Sequence, residues 1–379
     1  MKPSRFLATV LLVTLGVSSA LAQDTTDRDN PQPQPSFLHG YDNGYFISTT
    51  DGDNLLRFNA GLQLRATHGR TDRTSTRGDQ LNRLEARRTR LKLSGHALNP
   101  NLFFSFQTDY SSRTDNFDLI DAFVGYKLSD NLQVRIGQWT HQFQRETLLG
   151  AFNTSAIDRS LVVLSILPAT SNRIQGVEAQ YRDDLHRAAI SLNRGFRSFD
   201  TAIYDTDDAS PAITARYEYK PFGDWKALND FTAKPGDPEG LLLGVAAHLE
   251  EDDAIAFTSD ATWQTQTNTN LFASLGWHSI NDNQVTGVVL QAAQRLNQNI
   301  EPFLRYGFAH ADNATDDLNI ITAGTNIYFI EPHIKLSADA SYAVTPVSSQ
   351  FSQSSLGWKA DDPGQDGQWV LRLQLQLRF

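Results

Sequence analysis

The chain has 379 residues, a formal net charge of −10 at pH 7, 20% charged residues and no cysteine. The acidic total argues against nucleic-acid binding. After the N-terminus no apolar run approaches the roughly 20 residues of a membrane helix, which excludes a helical membrane protein but not one that crosses a bilayer with alternating strands.

The N-terminus has the three parts of a secretory signal peptide. Lys2 and Arg5 precede an apolar stretch, and Ala20-Leu21-Ala22 supplies the small residues of a cleavage site. An uncleaved anchor helix is the alternative, but the apolar run is short for a membrane span. We therefore predict a signal peptide over residues 1–22 and a polar, Pro-rich leader over residues 23–40.

From Leu55 onward the chain alternates between apolar and polar residues, as in Leu56 and Phe58 against Arg57 and Asn59. A period of two predicts β-strands with one apolar and one polar face. The candidate strands are 55–67, 85–98, 104–110, 117–127, 132–140, 173–182, 187–196, 213–220, 241–249, 256–263, 271–279, 284–296, 300–310, 318–329, 333–344 and 368–379. Long and mostly short connections alternate between them. We predict an all-β fold over residues 41–379, a transmembrane antiparallel β-barrel of 16 strands.

The last strand supports a closed sheet. Leu371, Leu373 and Leu375 alternate with polar residues, and the apolar parity ends on Phe379. An unpaired edge strand this apolar would invite aggregation, so we expect it to pair with the first strand. Tyr and Trp cluster toward strand ends, which suits rings at a lipid–water interface. We expect a protein in the lipid of the cell outer membrane, recognised by the barrel-assembly machinery through the strand that ends at Phe379.

The alternation breaks between His141 and Asn172, a segment too apolar to extend freely into water. Long connections without alternation are usually functional, and in a barrel the available surface is the inner wall. We predict an inward-folded third extracellular loop. Its charged residues either line a constriction or tie the loop to the wall by salt bridges, and both alternatives stay open; they are Arg145, Glu146, Asp158 and Arg159.

The polar parity predicts the charges of a water-filled lumen. The candidate pore-lining cations are Arg57, Arg65, Arg88, Arg90, Lys92, Arg135, Arg216, Arg305, Lys335, Arg372 and Arg378. The acids on that parity are fewer: Asp109, Asp121, Glu178, Glu218, Asp260 and Asp339. Strands one, two and sixteen would be neighbours in a closed barrel, so they are predicted to form a basic ladder. The alternative is that inward charges pair with one another.

No arrangement of residues indicates an enzyme. The nine histidines are scattered, without HExxH or metal-ligand spacing, and G-x-S-x-G is absent. We predict no catalytic residue, metal or cofactor, and no nucleic-acid partner. The alternatives are an outer-membrane barrel enzyme, such as a lipase or protease, and a secreted soluble β-sandwich that binds glycans.

Several segments resemble, in order, the phosphate-selective porin O and P family of outer-membrane channels. They are residues 44–65, 87–110, 132–148, 159–181, 299–308 and 324–342. The resemblance implies a homotrimer of sixteen-stranded barrels with a basic eyelet, through which small hydrophilic solutes and ions, including phosphate, diffuse passively. One departure is notable. The chain is poor in lysine, and Glu250 to Asp253 make the loop after the ninth strand acidic, which argues against selectivity for phosphate.

Overall fold

The computed structural model describes residues 36–70, 80–111, 116–166, 172–196, 211–251, 254–361 and 367–379. The predicted signal peptide, residues 1–22, lies outside the described residues, as does most of the predicted leader. The described residues from Phe37 onward form one compact unit.

One antiparallel sheet of 18 strands makes up this unit. The strands are β1 (Phe37–Tyr41), β2 (Tyr45–Thr49), β3 (Leu55–Arg70), β4 (Gln80–His96), β5 (Leu102–Ser111), β6 (Asn116–Lys127), β7 (Leu132–Thr140), β8 (Arg173–Arg182), β9 (His186–Asn193), β10 (Ala212–Phe222), β11 (Gly240–Glu250), β12 (Ala254–Gln264), β13 (Thr269–Ile280), β14 (Asn283–Gln294), β15 (Ile300–Ala311), β16 (Leu318–Ile330), β17 (Ile334–Ala343) and β18 (Trp369–Arg378). The helices are α1 (Arg145–Leu148), α2 (Leu161–Ile166) and the 3₁₀ turns Ala227–Asn229, Ser349–Phe351 and Ser354–Leu356. None of these described helices is long and apolar enough to span a bilayer.

The 16 strands β3–β18 form a closed barrel. Each pairs antiparallel with the next, and β18 returns to pair with β3 from Trp369↔Arg70 to Arg378↔Gly61. Beyond the last pair, the Phe379 N–H donates to the Ala60 carbonyl at 3.0 Å. The predicted barrel is confirmed, and each predicted strand overlaps an observed one. A β-sandwich with two separate sheets is excluded, because the described strands form one sheet that closes on itself.

A short hairpin, β1 and β2, precedes the barrel and was not predicted. β2 pairs with the start of β3, from Ser48↔Leu55 to Tyr45↔Phe58, directly beyond the point where β18 ends. The sheet thus begins at Phe37, within the stretch assigned to a polar leader. Strands of five residues are too short for a period of two to stand out in a sequence.

The two faces of the wall differ as the alternation predicts. Outward side chains are apolar and exposed, with Ile136 62% and Leu192 65% accessible, whereas inward Gln63 and Arg65 are buried. Register shifts interrupt the period, among them one at Gln63/Leu64 opposite β4 and one at Gln107/Thr108 opposite β6. A bulge inserts one residue and reverses the parity beyond it.

The interior is filled unevenly. An apolar cluster packs inside the wall formed by β11–β18, and its members come from the wall and from the connections 141–166, 221–239 and 345–361. They include Phe143, Val162, Ile166, Phe231, Phe272, Phe351 and Trp358. The 345–361 segment is tightly packed, because its apolar side chains cover α2. The inner wall of β4–β7 stays partly accessible, with the side chains of Arg90 and Asp109 18% and 19% exposed.

Candidate constriction of the lumen

The connection between β7 and β8, residues 141–166, contacts the polar inner face of several strands. Wall side chains donate hydrogen bonds to four consecutive or nearly consecutive carbonyls of this connection. The bonds are Gln63 Nε2 to Ala151 (3.0 Å), Gln376 Nε2 to Phe152 (3.2 Å), Lys335 Nζ to Thr154 (3.0 Å) and Asn326 Nδ2 to Ser155 (3.0 Å). These carbonyls have no partner strand, and side-chain donors from β3, β16, β17 and β18 supply their hydrogen bonds.

Asp158 is the centre of the strongest electrostatic attachment. Its carboxylate accepts two bonds from Arg65, at 2.7 and 2.9 Å, and one from Arg372 at 3.2 Å. Arg372 also binds Asp339 at 2.7 Å, and all four side chains are at most 2% exposed. Burial by itself would raise the pKa of Asp158, but the adjacent arginines outweigh it and hold that pKa well below its ordinary value.

Glu146 and Arg145 attach the connection to the opposite wall. Glu146 Oε1 lies 3.1 Å from Arg305 Nη1 and accepts the Ser160 N–H at 2.6 Å. Burial raises the pKa of Glu146, and Arg305 only partly offsets this. Arg145 lies 3.4 Å from Glu218 of β10.

Arg159 is attached differently. It donates to the carbonyls of Glu146 at 3.4 Å and Thr147 at 3.2 Å, both within its own connection. Among the described residues no carboxylate oxygen lies within 4.0 Å of its guanidinium. Burial lowers the pKa of Arg159 to about 10, so it stays charged near neutral pH. Of the four charged residues, Arg145, Glu146 and Asp158 tie the connection to the wall, and Arg159 forms no salt bridge among the described residues.

Most of the predicted pore-lining cations face inward beside a carboxylate. The pairs are Arg57–Asp42 (3.1 Å), Arg65–Asp158, Arg90–Asp109 (3.0 Å), Arg135–Glu178 (2.6 Å), Arg216–Asp260 (2.8 Å), Arg305–Glu146 and Arg372–Asp339. The alternative in which inward charges pair off therefore describes these seven.

The other predicted cations have no such partner: Arg88, Lys92, Lys335 and Arg378 lack a carboxylate within 4.0 Å in the described part of the chain. Lys335 is buried and donates to a backbone carbonyl. Arg88 binds the Gln63 amide at 2.8 Å and Arg378 the Asn153 amide at 2.9 Å, and both are partly exposed, as is Lys92.

Closure of the barrel brings Arg88, Lys92 and Arg378, which form no salt bridge among the described residues, together with the paired Arg90. β18, β3 and β4 are adjacent, and Arg378, Gly61 and Arg90 are in register across them. Arg88, Arg90 and Lys92 follow one another at every second position of β4. We call Arg88, Arg90, Lys92 and Arg378 the basic strip. It is narrower than the predicted ladder, because Asp158 and Asp339 neutralise Arg65 and Arg372.

Sequence reasoning missed other inward charges. Because a bulge at Arg87 reverses the parity of β4, Arg83 and Glu85 pair opposite inward residues of β3. Arg173, at the start of β8, lies 3.0 Å from Asp121. An irregular pairing leaves no mark in a single sequence, whereas the position of Arg173 at the exit of the non-alternating segment was a usable signal.

A second connection, residues 221–239, begins with the last two residues of β10, leads to β11 and also reaches the interior. The Phe231 carbonyl accepts from Ser155 Oγ at 2.8 Å, and the Phe231 N–H donates to the Asn153 carbonyl at 3.4 Å. Thr232 binds Glu301 of β15, and Lys234 lies 3.9 Å from Glu331. The two inward connections therefore meet each other. Only the unusual length of residues 221–239 signalled this in the sequence.

A cavity of about 1080 Å³ lies between the connection 141–166 and the wall of β7–β10. Its lining is mainly polar and includes Gln133, Asn153, Arg187, Glu218 and Asn229. Among the described residues, no group of three or more His, Asp or Glu side chains is placed to hold a metal ion.

Comparison with known proteins gives one family and many similar structures. Residues 58–222, somewhat under half of the chain, match the family described as phosphate-selective porin O and P, so the expected resemblance is confirmed over that range. No curated protein sequence matches the chain.

Three of the similar solved structures are outer-membrane barrels. An anion-selective porin from Comamonas acidovorans is 13% identical, with 86% of this chain and 100% of that chain covered and a TM-score of 0.61. The outer membrane channel DcaP of Acinetobacter baumannii is 14% identical, with 87% and 99% covered and a TM-score of 0.58. OmpT of Vibrio cholerae, in a trimer form, is 9% identical, with 86% and 100% covered and a TM-score of 0.51. At these identities the likeness establishes the fold.

Proposed function

We propose that this chain, a porin related to the phosphate-selective porin O and P family, forms a water-filled channel for passive diffusion of small hydrophilic solutes and ions across the outer membrane. The observation that carries the proposal is the closed ring of sixteen strands with an apolar outer face and a polar inner face. A barrel of this size has an interior too wide for wall side chains to fill, so water occupies the remainder.

The outer face supports a position in lipid. Long apolar side chains such as Ile136, Leu192 and Leu304 stand exposed on the wall, where in water they would form an unfavourable continuous patch. In a bilayer the same side chains contact acyl chains. The backbone of a closed barrel is fully hydrogen-bonded, which the hydrocarbon interior requires.

The conduction path follows the less filled side of the lumen. The connections 141–166 and 221–239 occupy the interior near β3 and β10–β18, so permeating solutes pass along the inner wall of β4–β9, where the cavity described above lies at β7–β9. The connection 141–166 forms the neck, and the salt bridges of Asp158 and Glu146 hold it there. Passage through a narrow, wet neck depends on its width and on the charges at its rim.

The basic strip sets the preference for anions. Arg90 is paired with Asp109, but the other three cations of the strip form no salt bridge among the described residues, and neither does Arg159 of the neck. A narrow channel lined by one sign of charge concentrates ions of the opposite sign and excludes those of its own. Small anions, phosphate among them, are the preferred solutes. Nothing in this mechanism requires a catalytic residue or a cofactor, and the protein acts as a channel and not as an enzyme.

Two partners follow from this function. Subunits assemble as a homotrimer, in line with the family resemblance and with the trimer form in which OmpT of Vibrio cholerae has been solved. The barrel-assembly machinery binds the final strand, whose Phe379 is hydrogen-bonded to Ala60 at the closing seam. Cross-linking in detergent tests the trimer, and a lower outer-membrane level after removal of Phe379 tests the assembly signal.

Step-like conductance in planar lipid bilayers tests the channel itself. The purified protein, folded in detergent, should insert in discrete current steps that scale with salt concentration, and heat-denatured protein should give none. A preparation that stays soluble without detergent and produces no steps would overturn the proposal. An ester and peptide hydrolysis screen of the same preparation should find no turnover.

A further inference from the structure

The neck carries an aromatic ring seated between cations. Phe152 projects from the connection 141–166 onto Gly61 of β3, where an added Cβ would lie only 2.6 Å from Phe152 Cζ. Gly61 pairs with Arg90 on one side and with Arg378 on the other. Adjacent strands lie about 4.8 Å apart, so the backbones of Arg90 and Arg378 are roughly 10 Å apart, and the ring occupies the gap that glycine leaves.

The position of the ring is fixed by the wall. Gln63 and Gln376 hold the carbonyls of Ala151 and Phe152 at 3.0 and 3.2 Å. The Arg90 guanidinium lies 5.8 Å from the Phe152 ring centroid. The ring is nevertheless only partly buried, so one part of its surface faces the lumen.

The charges around Phe152 are available for a ligand. Arg378, which contacts the next residue, Asn153, has no carboxylate within 4.0 Å in the described ranges, and the same holds for Lys92 and Arg88. An inorganic anion would use these cations and leave the exposed aromatic surface in contact with water. A ligand with both a negative charge and a flat apolar ring would use both features.

We propose that the neck is a binding site for small aromatic carboxylates. The ligand ring packs on Phe152, and the carboxylate accepts charge-assisted hydrogen bonds from Arg378 or Lys92. This rests on the proposed function, because it names a class among the anions that the channel admits.

The wall contains a matched aromatic without this setting. Phe103 of β5 covers Gly125 of β6 in the same way, with an added Cβ only 2.3 Å from Phe103 Cζ. Gly125 is paired with Arg135, whose charge is already compensated by Glu178 at 2.6 Å. Phe103 therefore supplies a control position that shares the packing of Phe152 but lies beside a neutralised cation.

Block of the chloride current through the full mature protein in planar bilayers tests the site. Benzoate is compared with cyclohexanecarboxylate, which has the same charge and a similar size but no aromatic ring, and with inorganic phosphate. An aromatic pair contributes roughly 3- to 10-fold in affinity beyond buried area, so benzoate should block at a concentration lower by about that factor. Phe152→Leu should reduce this ratio to about one, and Phe103→Leu should leave it unchanged.

Three outcomes would each overturn the proposed site. They are equal block by benzoate and cyclohexanecarboxylate, stronger block by phosphate, and retention of the benzoate preference in Phe152→Leu. The comparison of the acids uses the unchanged protein, so it decides the matter even if Phe152→Leu fails to fold. The zero-current potential in a KCl gradient separates this failure from that of the proposed function. An anion-preferring channel without aromatic discrimination refutes the site alone, whereas a cation-preferring channel refutes the anion pathway on which it rests.

Discussion

Replacement of Asp158 by asparagine tests whether salt bridges hold the neck in place. The carboxylate of Asp158 is 2% exposed and accepts bonds from Arg65 at 2.7 and 2.9 Å and from Arg372 at 3.2 Å. The asparagine side chain keeps one acceptor oxygen but removes the charge. Arg65 would retain the Gln374 amide at 2.8 Å, and Arg372 would retain Asp339 at 2.7 Å.

The contacts that remain determine how much free energy the Asp158→Asn substitution costs. Removing one partner of a buried ion pair costs roughly 3–5 kcal/mol. Since both arginines keep another acceptor, we expect the lower end of this range, about 3 kcal/mol. This free energy is lost from the state in which the connection 141–166 is docked on the wall, relative to the undocked state. At about 1.4 kcal/mol per tenfold, the ratio of docked to undocked forms falls by roughly 100-fold.

Single-channel recording measures the consequence. Asp158→Asn should show more frequent current fluctuations and a higher mean conductance, and its anion preference should increase because two arginines lose a neutralising charge. Asp312→Asn is the matched control, since that side chain is 50% exposed and its neighbour His310 is 3.7 Å away. If both variants give the same conductance and noise as the unchanged protein, the attachment of the neck by Asp158 is wrong.

Three further results are expected. Lys92→Gln combined with Arg378→Gln should lower the anion-to-cation permeability ratio severalfold, measured as the zero-current potential, whereas Arg57→Gln, which removes a cation paired with Asp42, should change it little. Glu331→Gln weakens two cationic contacts near the connection 221–239 and should raise single-channel conductance; an unchanged conductance would show that this connection does not limit flow. The lowered pKa of Asp158 means that its stabilisation is present at pH above the ordinary Asp value of 3.8 and is lost only as pH falls toward the folded pKa. Titration of Asp158 should therefore contribute no change in conductance from about pH 8 to about pH 5, and a transition inside that range that is absent from Asp158→Asn would contradict the assignment.

The barrel itself could be predicted because lipid and water impose opposite requirements on neighbouring residues. Leu373 and Gln374 alternate for that reason, and the same rule holds in each of the sixteen strands of the ring. The hairpin β1–β2 escaped prediction because five residues carry too little periodicity. The bulge at Arg87 escaped it because an inserted residue changes the face of everything beyond it, as Glu85 demonstrates.

The sequence predicted which charged side chains face the lumen, but it did not predict which carboxylates pair with them. The alternation places Arg65 and Arg372 on the inner face, yet their neutralisation by Asp158 joins strands at opposite ends of the sequence to a connection between them. No local pattern encodes such a contact. Arg378 and Lys92 remain uncompensated for the same non-local reason, because no carboxylate of the described residues folds onto them.

The packing of the interior was the least predictable part. Residues 345–361 look polar as a stretch, but Val347, Phe351 and Trp358 are buried against the apolar cluster. For residues 221–239 the only signal in the sequence is the length of the connection. Whether a connection folds into a lumen depends on the surface that the lumen offers, and that surface is formed by residues far away in the chain.

The zero-current potential of the purified protein in a planar bilayer, under a steep KCl gradient, tests the central claim most directly. A water-filled passage lined by the basic strip predicts step-like conductance with a potential of the sign that chloride permeation produces. A potential of the opposite sign, or a bilayer that shows no ionic current after insertion of folded protein, would contradict an anion-preferring channel.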